Sequence, residues 1–449
     1  MRLKVHSFDV VVAGGGPAGV AAALSAARSG AKVAVIEATG AFGGMGTTGL
    51  VPAFCPYSND RKLVIRGIGL EIQERLVRRG GGFRKQHRPG DVTAYDWVRI
   101  NAEALKRLLD EMMTASGAAL RLFTQVTEPV LRGRRITGVR TWSKSGPEEW
   151  RAPAFVDATG DADLAARAGA PFEQGDGRGR MQPSTLCFTI AGLDGKEAER
   201  VFDYGPGGRP FGKIVRQASL AGRLSGRYDH HHCANKIVAD YRAVGFNYKH
   251  QEGADGTDAQ SLTRAIIEGR RQAAELCEFL RRRVRGCRGA FLASTAELLG
   301  VRETRRIVGE YVMDAEHFWN RTKSPDDIAS YCYYIDIHDM PRGGKAVRRY
   351  LHAHATNVLP PGEHYGIPYR ALLPKRIENL LVAGRSISCD RAMQGSVRVM
   401  PAAFATGEAA GLAAAMAAKT GGAVREINVR RLQDRLIRQG AFIDLAGRG

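Results

Sequence analysis

No run of about 18 consecutive apolar residues occurs in this 449-residue chain, so no segment reads as a membrane-spanning helix. The most apolar stretch, residues 401–418, is rich in alanine and glycine and contains Glu408, which suits a buried helix. No apolar signal-peptide core precedes the first apolar strand, and the expected location is the cytoplasm. The seven cysteines are scattered from Cys55 to Cys389 and form no Cys-x-x-Cys pair. That pattern argues against a disulfide framework, a structural zinc site and an iron–sulfur cluster. There is no Gly-x-Ser-x-Gly elbow and no convincing hydrolytic triad, no internal repeat and no low-complexity tract. Aromatic residues make up 7% of the chain and supply no base-stacking stripe, so nucleic acid is not an expected partner. Acidic residues are in the minority: 46 Asp and Glu face 66 Lys and Arg, a formal net charge of +20. Such a field favours anionic small molecules. Its densest run, Arg281-Arg282-Arg283-Val284-Arg285 with Arg288 beyond, reads as a solvated helix face or as a patch for an anion, RNA or protein partner.

What the chain has in quantity is glycine, 54 residues, placed where tight turns and close backbone approach need it. The first apolar strand runs into Gly14-Gly15-Gly16-Pro17-Ala18-Gly19, and a second strand ends at Glu37, 23 positions after Gly14. In a dinucleotide-binding βαβ unit, the first glycine makes the turn out of the strand. The second lets backbone approach a pyrophosphate, and the third lets the helix pack on the sheet. The helix start offers partial positive charge to that pyrophosphate. An acid near Glu37's offset binds a ribose hydroxyl. A small-residue loop follows at Gly43-Gly44-Met45-Gly46-Thr47-Thr48, suited to lying against a flat ligand.

Further along, helical patterns cover residues 69–79 and 101–114. Short strands are expected at 119–123, 127–131, 135–142 and 149–156, joined by tight polar turns as a β-meander. The meander ends in Val156-Asp157-Ala158-Thr159-Gly160-Asp161. Residues 183–365 then change texture, with longer helices, aromatics and histidines. From 366 to 449 the dinucleotide-fold texture returns, through Leu381-Val382-Ala383-Gly384-Arg385 and Gly395 to Pro401 leading into the alanine helix. The expected plan is a three-layer α/β, Rossmann-like cofactor domain with a β-meander, made of residues 1–182 and 366–449. An α+β substrate domain is inserted at 183–365. The C-terminal return, the Ala158-Thr159-Gly160 element and the Gly43-Gly44 loop suit an extended cofactor, FAD, better than NAD. Only one nucleotide fingerprint is visible, so a separate NAD(P)H site is not expected.

Four segments together resemble the FAD-dependent oxidoreductase family related to fumarate reductase and succinate dehydrogenase flavoproteins. They are the Gly14–Gly19 fingerprint with Glu37 and Gly43-Gly44-Met45; Val156 to Asp161; Gly300-Val301-Arg302-Glu303-Thr304-Arg305-Arg306-Ile307; and Leu381–Arg385 running into Gly395–Gly411. The resemblance implies FAD contacts from Gly14, Gly16, Pro17, Ala18, Gly19, Glu37, Ala38, Gly43, Gly44, Met45, Thr47 and Thr48. It implies others from Val126, Ala158, Thr159, Gly160, Gly384, Val399, Met400 and Ala403. It also implies that the helix starting near Pro401 points its free amides at the flavin pyrimidine, where a helix dipole stabilises negative charge. Related chains carry an acid just after the glycine at 384. Arg385 stands there instead, and a salt link to phosphate is one reading of it.

Candidates on the substrate side are Arg302, Arg305, His338 and Tyr369. Arginine suits bidentate carboxylate binding. In a strand, Arg302 and Arg306 share one face and Arg305 the other, and an ion pair with Glu303 or Glu310 is the structural alternative. In Ile335-Asp336-Ile337-His338, alternation places the carboxylate and imidazole on one face, where the histidine could remove a hydroxyl proton as hydride leaves. Tyr369 or Arg370 could orient substrate or brace the domain junction. The run His230-His231-His232-Cys233 invites a metal, but adjacent residues seldom converge on one ion, and no metal is expected. The expected activity is hydride transfer between the flavin N5 and a small polar or anionic substrate, by alcohol oxidation or alkene reduction. An external electron acceptor is the expected redox partner, and the oligomeric state is left open. The alternatives are a tRNA-modifying flavoprotein, which would use the basic surface, and an electron-transfer flavoprotein subunit.

Overall fold

The computed structural model describes residues 3–85, 88, 90–203, 210–225, 233–338 and 356–445. At its centre is a five-stranded parallel sheet in the order Leu380–Val382, Ala154–Asp157, Val10–Ala13, Val33–Ile36, Ala119–Arg121. Its inner strands Val10–Ala13 and Val33–Ile36 are continuous apolar runs because both faces are covered. Val10, Val12, Val33 and Val35 point into the helical layer, with Val20, Leu24, Leu109 and Leu412. Val11, Ala13, Ala34 and Ile36 point the other way, into Val126, Ile136, Val139 and Trp150. That second layer is a four-stranded sheet ordered Lys4–Ser7, Gly146–Arg151, Arg135–Ser143, Gln125–Arg132. The three layers are those expected.

Two strands fall differently from the sequence reading. Residues 119–121 leave the meander and form the fifth parallel strand beside Val33–Ile36. The stretch 149–156 is two strands, one in each sheet. Pro153 sits at the break, where a missing N–H would interrupt a continuous ladder. Helix Ala102–Ala115 starts as its sequence suggests, with the Asn101 side chain accepting from Ala104 N at 3.0 Å.

Helices Pro17–Arg28 and Met400–Ala418 cross at very short range. A Cβ on Gly407 or Gly411 would lie 2.1 or 2.0 Å from the carbonyl oxygens of Ala18 and Ala22. Thus the C-terminal helix is pressed onto the first helix of the nucleotide unit. Among the described residues no single helix is long and apolar enough to cross a membrane, and this one is buried almost throughout.

The insertion has its own antiparallel sheet, in the order Cys233–Lys236, Ala243–Asn247, Phe188–Ala191, Phe291–Thr295. Alternation turns Ala234, Phe246, Phe188 and Ile190 toward helices Gly195–Phe202, Pro210–Leu220 and Ala259–Arg283. It turns Cys187, Cys233, Asn235 and Asn247 toward the larger domain. This separate core spans residues 188–290. Phe318, Tyr331, Tyr333 and Tyr365 belong to the main core, so packing passes back to the cofactor domain near residue 300 rather than 365. Arg281 and Arg282 are exposed on the long helix and paired with Glu278.

Candidate active site

The nucleotide end is built from backbone. Gly14 turns out of Val10–Ala13 at φ +97°, and a Cβ there would sit 2.4 Å from Ala158 O. A Cβ on Gly19 would sit 1.8 Å from Gly14 O. Beside Gly16 there is no atom within 4 Å of the Cβ position. Gly16 precedes Pro17 at the start of the helix, and no side chain caps that end. Open space next to an uncapped helix start is what a pyrophosphate requires. Ala18 is buried against Gly384, where a Cβ would lie 3.1 Å from the Ala18 Cβ.

The other residues of the fingerprint converge here. The Glu37 carboxylate accepts from Gly15 N at 2.6 Å and from Thr39 N and Oγ1 at 2.7 Å each, so it braces the glycine turn. Ala38 is exposed beside it. Thr124 N donates to Glu37 O at 2.9 Å, bringing buried Val126 to the same end. Gly43 N donates to Gly15 O at 2.8 Å, and a Cβ on Gly44 would lie 3.1 Å from Gly16 Cα. The hydroxyls of Thr47 and Thr48 hold this loop through Phe42 O and Gly44 O, at 2.7 and 3.1 Å. Thr159 donates through N and Oγ1 to Asp157, and Gly160 follows at φ +82°. These residues fit an FAD nucleotide.

Arg385 does not reach for phosphate. Its Nε donates to Gly160 O at 2.8 Å, Nη1 to Val301 O at 2.7 Å and Nη2 to Asp161 at 2.7 Å. It ties the Thr159-Gly160 turn to the substrate side, so the phosphate reading is corrected.

Between the two domains lies a cavity of about 540 Å³. The cofactor domain contributes Met45, Val399 and Met400 to its wall, and the inserted sheet contributes Cys187, Cys233 and Asn247. Val399 caps helix Met400–Ala418 with no side-chain acceptor, and Ala403 N closes the first turn on Val399 O. Met45 and this helix start therefore reach the same cavity.

Arg302, Asp336 and His338 line this one cavity. Residues 335–338 form no helix or strand. The close approach of Gly395 to Asp336 N, 3.0 Å from a Cβ position, presses the segment onto helix Arg391–Val397. His338 Nε2 lies 3.0 Å from Asp336 Oδ1, and His338 Nδ1 lies 3.1 Å from His250 Nε2. Arg398 Nη2 donates to Asp336 Oδ2 at 2.8 Å, and Tyr333 OH donates to it at 3.2 Å. Burial works to raise the Asp336 carboxyl. The neighbouring His338, Arg398 and Arg302 outweigh it and hold the group well below the usual carboxylate range. An ionised Asp336 favours a proton on His338 Nε2, which leaves Nδ1 as the basic position, shared with His250.

Arg302 donates through Nη1 to Pro183 O at 2.7 Å and to Thr185 Oγ1 at 2.9 Å. Arg398 was missed by the sequence reading. Its Nε is buried with no hydrogen-bond partner among the described residues, and it lines the cavity immediately before Val399 and Met400. Its signal was position alone, inside the Gly395–Pro401 motif. Lys85, Trp97 and Arg99 also went unread. Burial pushes the Cys55 and Cys187 thiols up to about 12, so at neutral pH both line the cavity as neutral groups.

Two residues expected at the substrate, Arg305 and Tyr369, are engaged elsewhere. Arg305 is spent on Asp163 at 2.9 Å and Asp161 O at 3.0 Å, on strand Arg305–Ile307, and it does not line the cavity. Tyr369 is buried, with its OH donating to Val424 O at 2.7 Å, and braces the C-terminal segment. Arg306 makes the structural ion pair with Glu303, at 2.7 Å. His230-His231-His232 lies outside the described residues. Among the described residues no group of three or more His, Cys, Asp or Glu is placed to hold a metal.

Residues 9–436 match the family model described as FAD dependent oxidoreductase. The chain belongs to that family, and its cofactor is FAD. A digeranylgeranylglycerophospholipid reductase of Haloferax volcanii is 29% identical over 193 residues, 42% of this chain and 43% of that protein. One of the same name from Methanoculleus marisnigri is 27% identical over 175 residues, 36% of this chain and 42% of that protein. The match thus spans less than half the length of these relatives. Among solved structures, a geranylgeranyl bacteriochlorophyll reductase-like protein of Thermoplasma acidophilum superposes with TM-score 0.45 at 11% identity, over 97% of this chain and 84% of that one. A p-nitrophenol 4-monooxygenase of Pseudomonas putida superposes with TM-score 0.44 at 14% identity, over 97% and 84%.

Proposed function

We propose that this oxidoreductase transfers hydride between the flavin N5 and a small polar or anionic organic substrate held in the 540 Å³ cavity, with alkene reduction favoured over alcohol oxidation. The observation that carries the reading is one cavity wall joining the Val399-Met400 helix start to Arg302, Arg398 and the Asp336–His338 pair. FAD, when bound, supplies the hydride-transferring atom. Arg302 and Arg398 hold the anionic end of the substrate, and a guanidinium's fork fixes its orientation. Asp336 orients His338, which holds or accepts a proton at Nδ1. In alkene reduction, hydride adds to one carbon and the proton to its neighbour; in alcohol oxidation, His338 takes the hydroxyl proton as hydride leaves carbon. An external redox partner completes the cycle, because the chain shows a single nucleotide fingerprint. The names of the two curated relatives support the alkene subclass. The finer kinship with fumarate reductase and succinate dehydrogenase flavoproteins rests on the four motif segments.

The test is anaerobic. Oxidised holoenzyme is mixed with hydroxy acids and sugars, and photoreduced holoenzyme with unsaturated acids, while flavin absorbance is followed. Reoxidation by an unsaturated acid, with saturated product formed one for one, is the expected result. Bleaching by hydroxy compounds alone would move the enzyme to alcohol oxidation, and no response in either arm would sink the hydride reading.

A further inference from the structure

Beside the reaction cavity is a second chamber of about 280 Å³. Lys85, Trp97, Tyr333 and Tyr334 line both spaces, so their side chains form the partition between them. The two chambers differ in sign. The inner one has Lys85, Arg99, Arg302, Arg385 and Arg398 against Asp336. The outer one has Asp60, Asp96 and Glu363 against Lys85.

The partition is held under strain. Trp97 has φ +53°, a costly conformation for a bulky side chain. Its neighbour Asp96 keeps the loop in place: the carboxylate accepts from Tyr57 N at 2.7 Å, Ser58 N at 2.8 Å and Ser58 Oγ at 2.6 Å. The indole meets Tyr333 edge-on at 6.1 Å, and Tyr333 lies 4.3 Å from Tyr334. Despite this anchoring the indole stays 40% exposed. A large aromatic surface fixed between two chambers of opposite charge balance is suited to contact with something that passes through.

We infer that the substrate extends past this partition, with an anionic reacting end in the inner cavity and a distal hydrogen-bond donor, hydroxyl or ammonium, in the outer chamber. Asp96 is committed to its loop, so Asp60 and Glu363, both exposed at the outer chamber, receive the donor. The faces of Trp97, Tyr333 and Tyr334 pack its C–H groups or attract its charge. A distal carboxylate would meet like charge and is disfavoured. The inference rests on the anionic substrate proposed for the inner cavity.

The experiment is calorimetric titration of the holoenzyme with carboxylates that differ only at the far end. The probes are hexanoate, ω-hydroxyhexanoate, ω-aminohexanoate and adipate, with their twelve-carbon counterparts and butyrate as the short control. At one of the two lengths the donor-tipped probes should bind about fivefold tighter than the alkyl probe, and the diacid weakest. Preference for ammonium alone would assign the outer chamber to charge, and equal preference for hydroxyl would assign it to hydrogen bonding. Asp60→Asn with Glu363→Gln should abolish the preference and leave butyrate affinity unchanged; Asp60 has φ +68°, which asparagine tolerates. Trp97→Gly, which suits the backbone at that position, should weaken the tipped probes more than it weakens butyrate. Equal affinity for all four tips, or a preference that survives the double variant, overturns the inference. If butyrate itself fails to bind, the anionic inner cavity falls and takes the inference with it. Tip-dependent binding without flavin turnover would instead break the hydride reading and leave the two-chamber site standing.

Discussion

The two ends of the site are built from different materials. At the nucleotide end, recognition belongs to backbone: Gly14 and Gly19 have no room for a Cβ, and Gly16 has room that the protein leaves empty. At the substrate end, recognition belongs to buried side chains, in the chain of contacts from Arg398 through Asp336 and His338 to His250. The first arrangement centres on one short run, Gly14–Gly19, and tolerates no side chain at its two tightest glycines. The second draws on segments scattered from residue 45 to residue 400 and depends on charge balance. Damage at the two ends should therefore look different.

The largest effect should come from separating two glycines three positions apart. Gly19→Ala places a methyl 1.8 Å from Gly14 O, backbone against backbone, so the helix must move off the sheet. We expect little folded protein and no bound FAD. At Gly16 the Cβ position is open to 4 Å, so Gly16→Val should fold, but its side chain takes the space a pyrophosphate enters, and most FAD should be lost. Circular dichroism with the flavin-to-protein absorbance ratio reads both. A Gly16→Val protein that retains all its FAD would break the contrast at its root.

At the substrate end, His338→Ala should leave FAD content intact and slow flavin oxidation or reduction by about 10²–10⁴-fold, the usual worth of a positioned proton transfer. Arg398→Lys should weaken an anionic substrate more than it slows the step, because an ammonium lacks the rigid planar fork that lets a guanidinium hold Asp336 on one edge and aim a second donor in a fixed direction. Arg305→Gln and Tyr369→Phe should change neither, since both side chains face away from the cavity. Stopped-flow flavin absorbance with the substrate found above separates these outcomes. A parent-like rate in His338→Ala would make that histidine structural.

This contrast also explains what could be read from sequence. The layer order, the fingerprint and the C-terminal return were legible because each is a local pattern: strand, glycine turn, helix, strand, acid. The failures share a cause. Arg305 and Tyr369 have the chemistry of a site residue, and only tertiary partners, Asp163 and Val424, show that they are engaged elsewhere. Arg398 and Trp97 give no signal of their own. Arg398 becomes a site residue because Gly395 lets helix Arg391–Val397 close on Asp336, and Trp97 because of a left-handed turn that no local composition announces. The strand at residues 119–121 was misplaced because a short edge strand of a parallel sheet and a meander strand carry the same alternation.

A smaller effect tests whether Glu37 belongs to the backbone end or the charged one. Its carboxylate braces Gly15 and Thr39 as well as facing the ribose expected there. Glu37→Ala should weaken FAD binding tenfold or more, since charged hydrogen bonds are worth roughly 1.5–3 kcal/mol each. It should also lower the melting temperature of the apoprotein, which a residue that only bound ribose would not do. The flavin reduction rate at full occupancy should stay near that of the parent.

The smallest effect concerns a buried carboxyl on the helix that begins at the cavity. Glu408, on the helix pressed against Pro17–Arg28, accepts from Ile68 N at 2.9 Å. Burial raises its pKa from 4.5 to about 7, outweighing that hydrogen bond and the influence of Arg28. Between those two values the folded chain keeps a proton that the unfolded chain has released. This group's contribution therefore falls as pH rises from about 4.5 to 7 and then levels off. Glu408→Gln keeps an acceptor for Ile68 and removes the titration. The variant should match the parent near pH 5 and gain on it by a few degrees of melting temperature toward pH 8. His317 and His364, whose pKa values are lowered by burial, tilt the parent in the opposite sense, but they are common to both proteins and cancel in the difference. A difference that stays flat across this range would mean that Glu408 is ionised in the folded state. The crossing of the two helices would then carry a buried charge, held by Ile68 and the nearby Arg28.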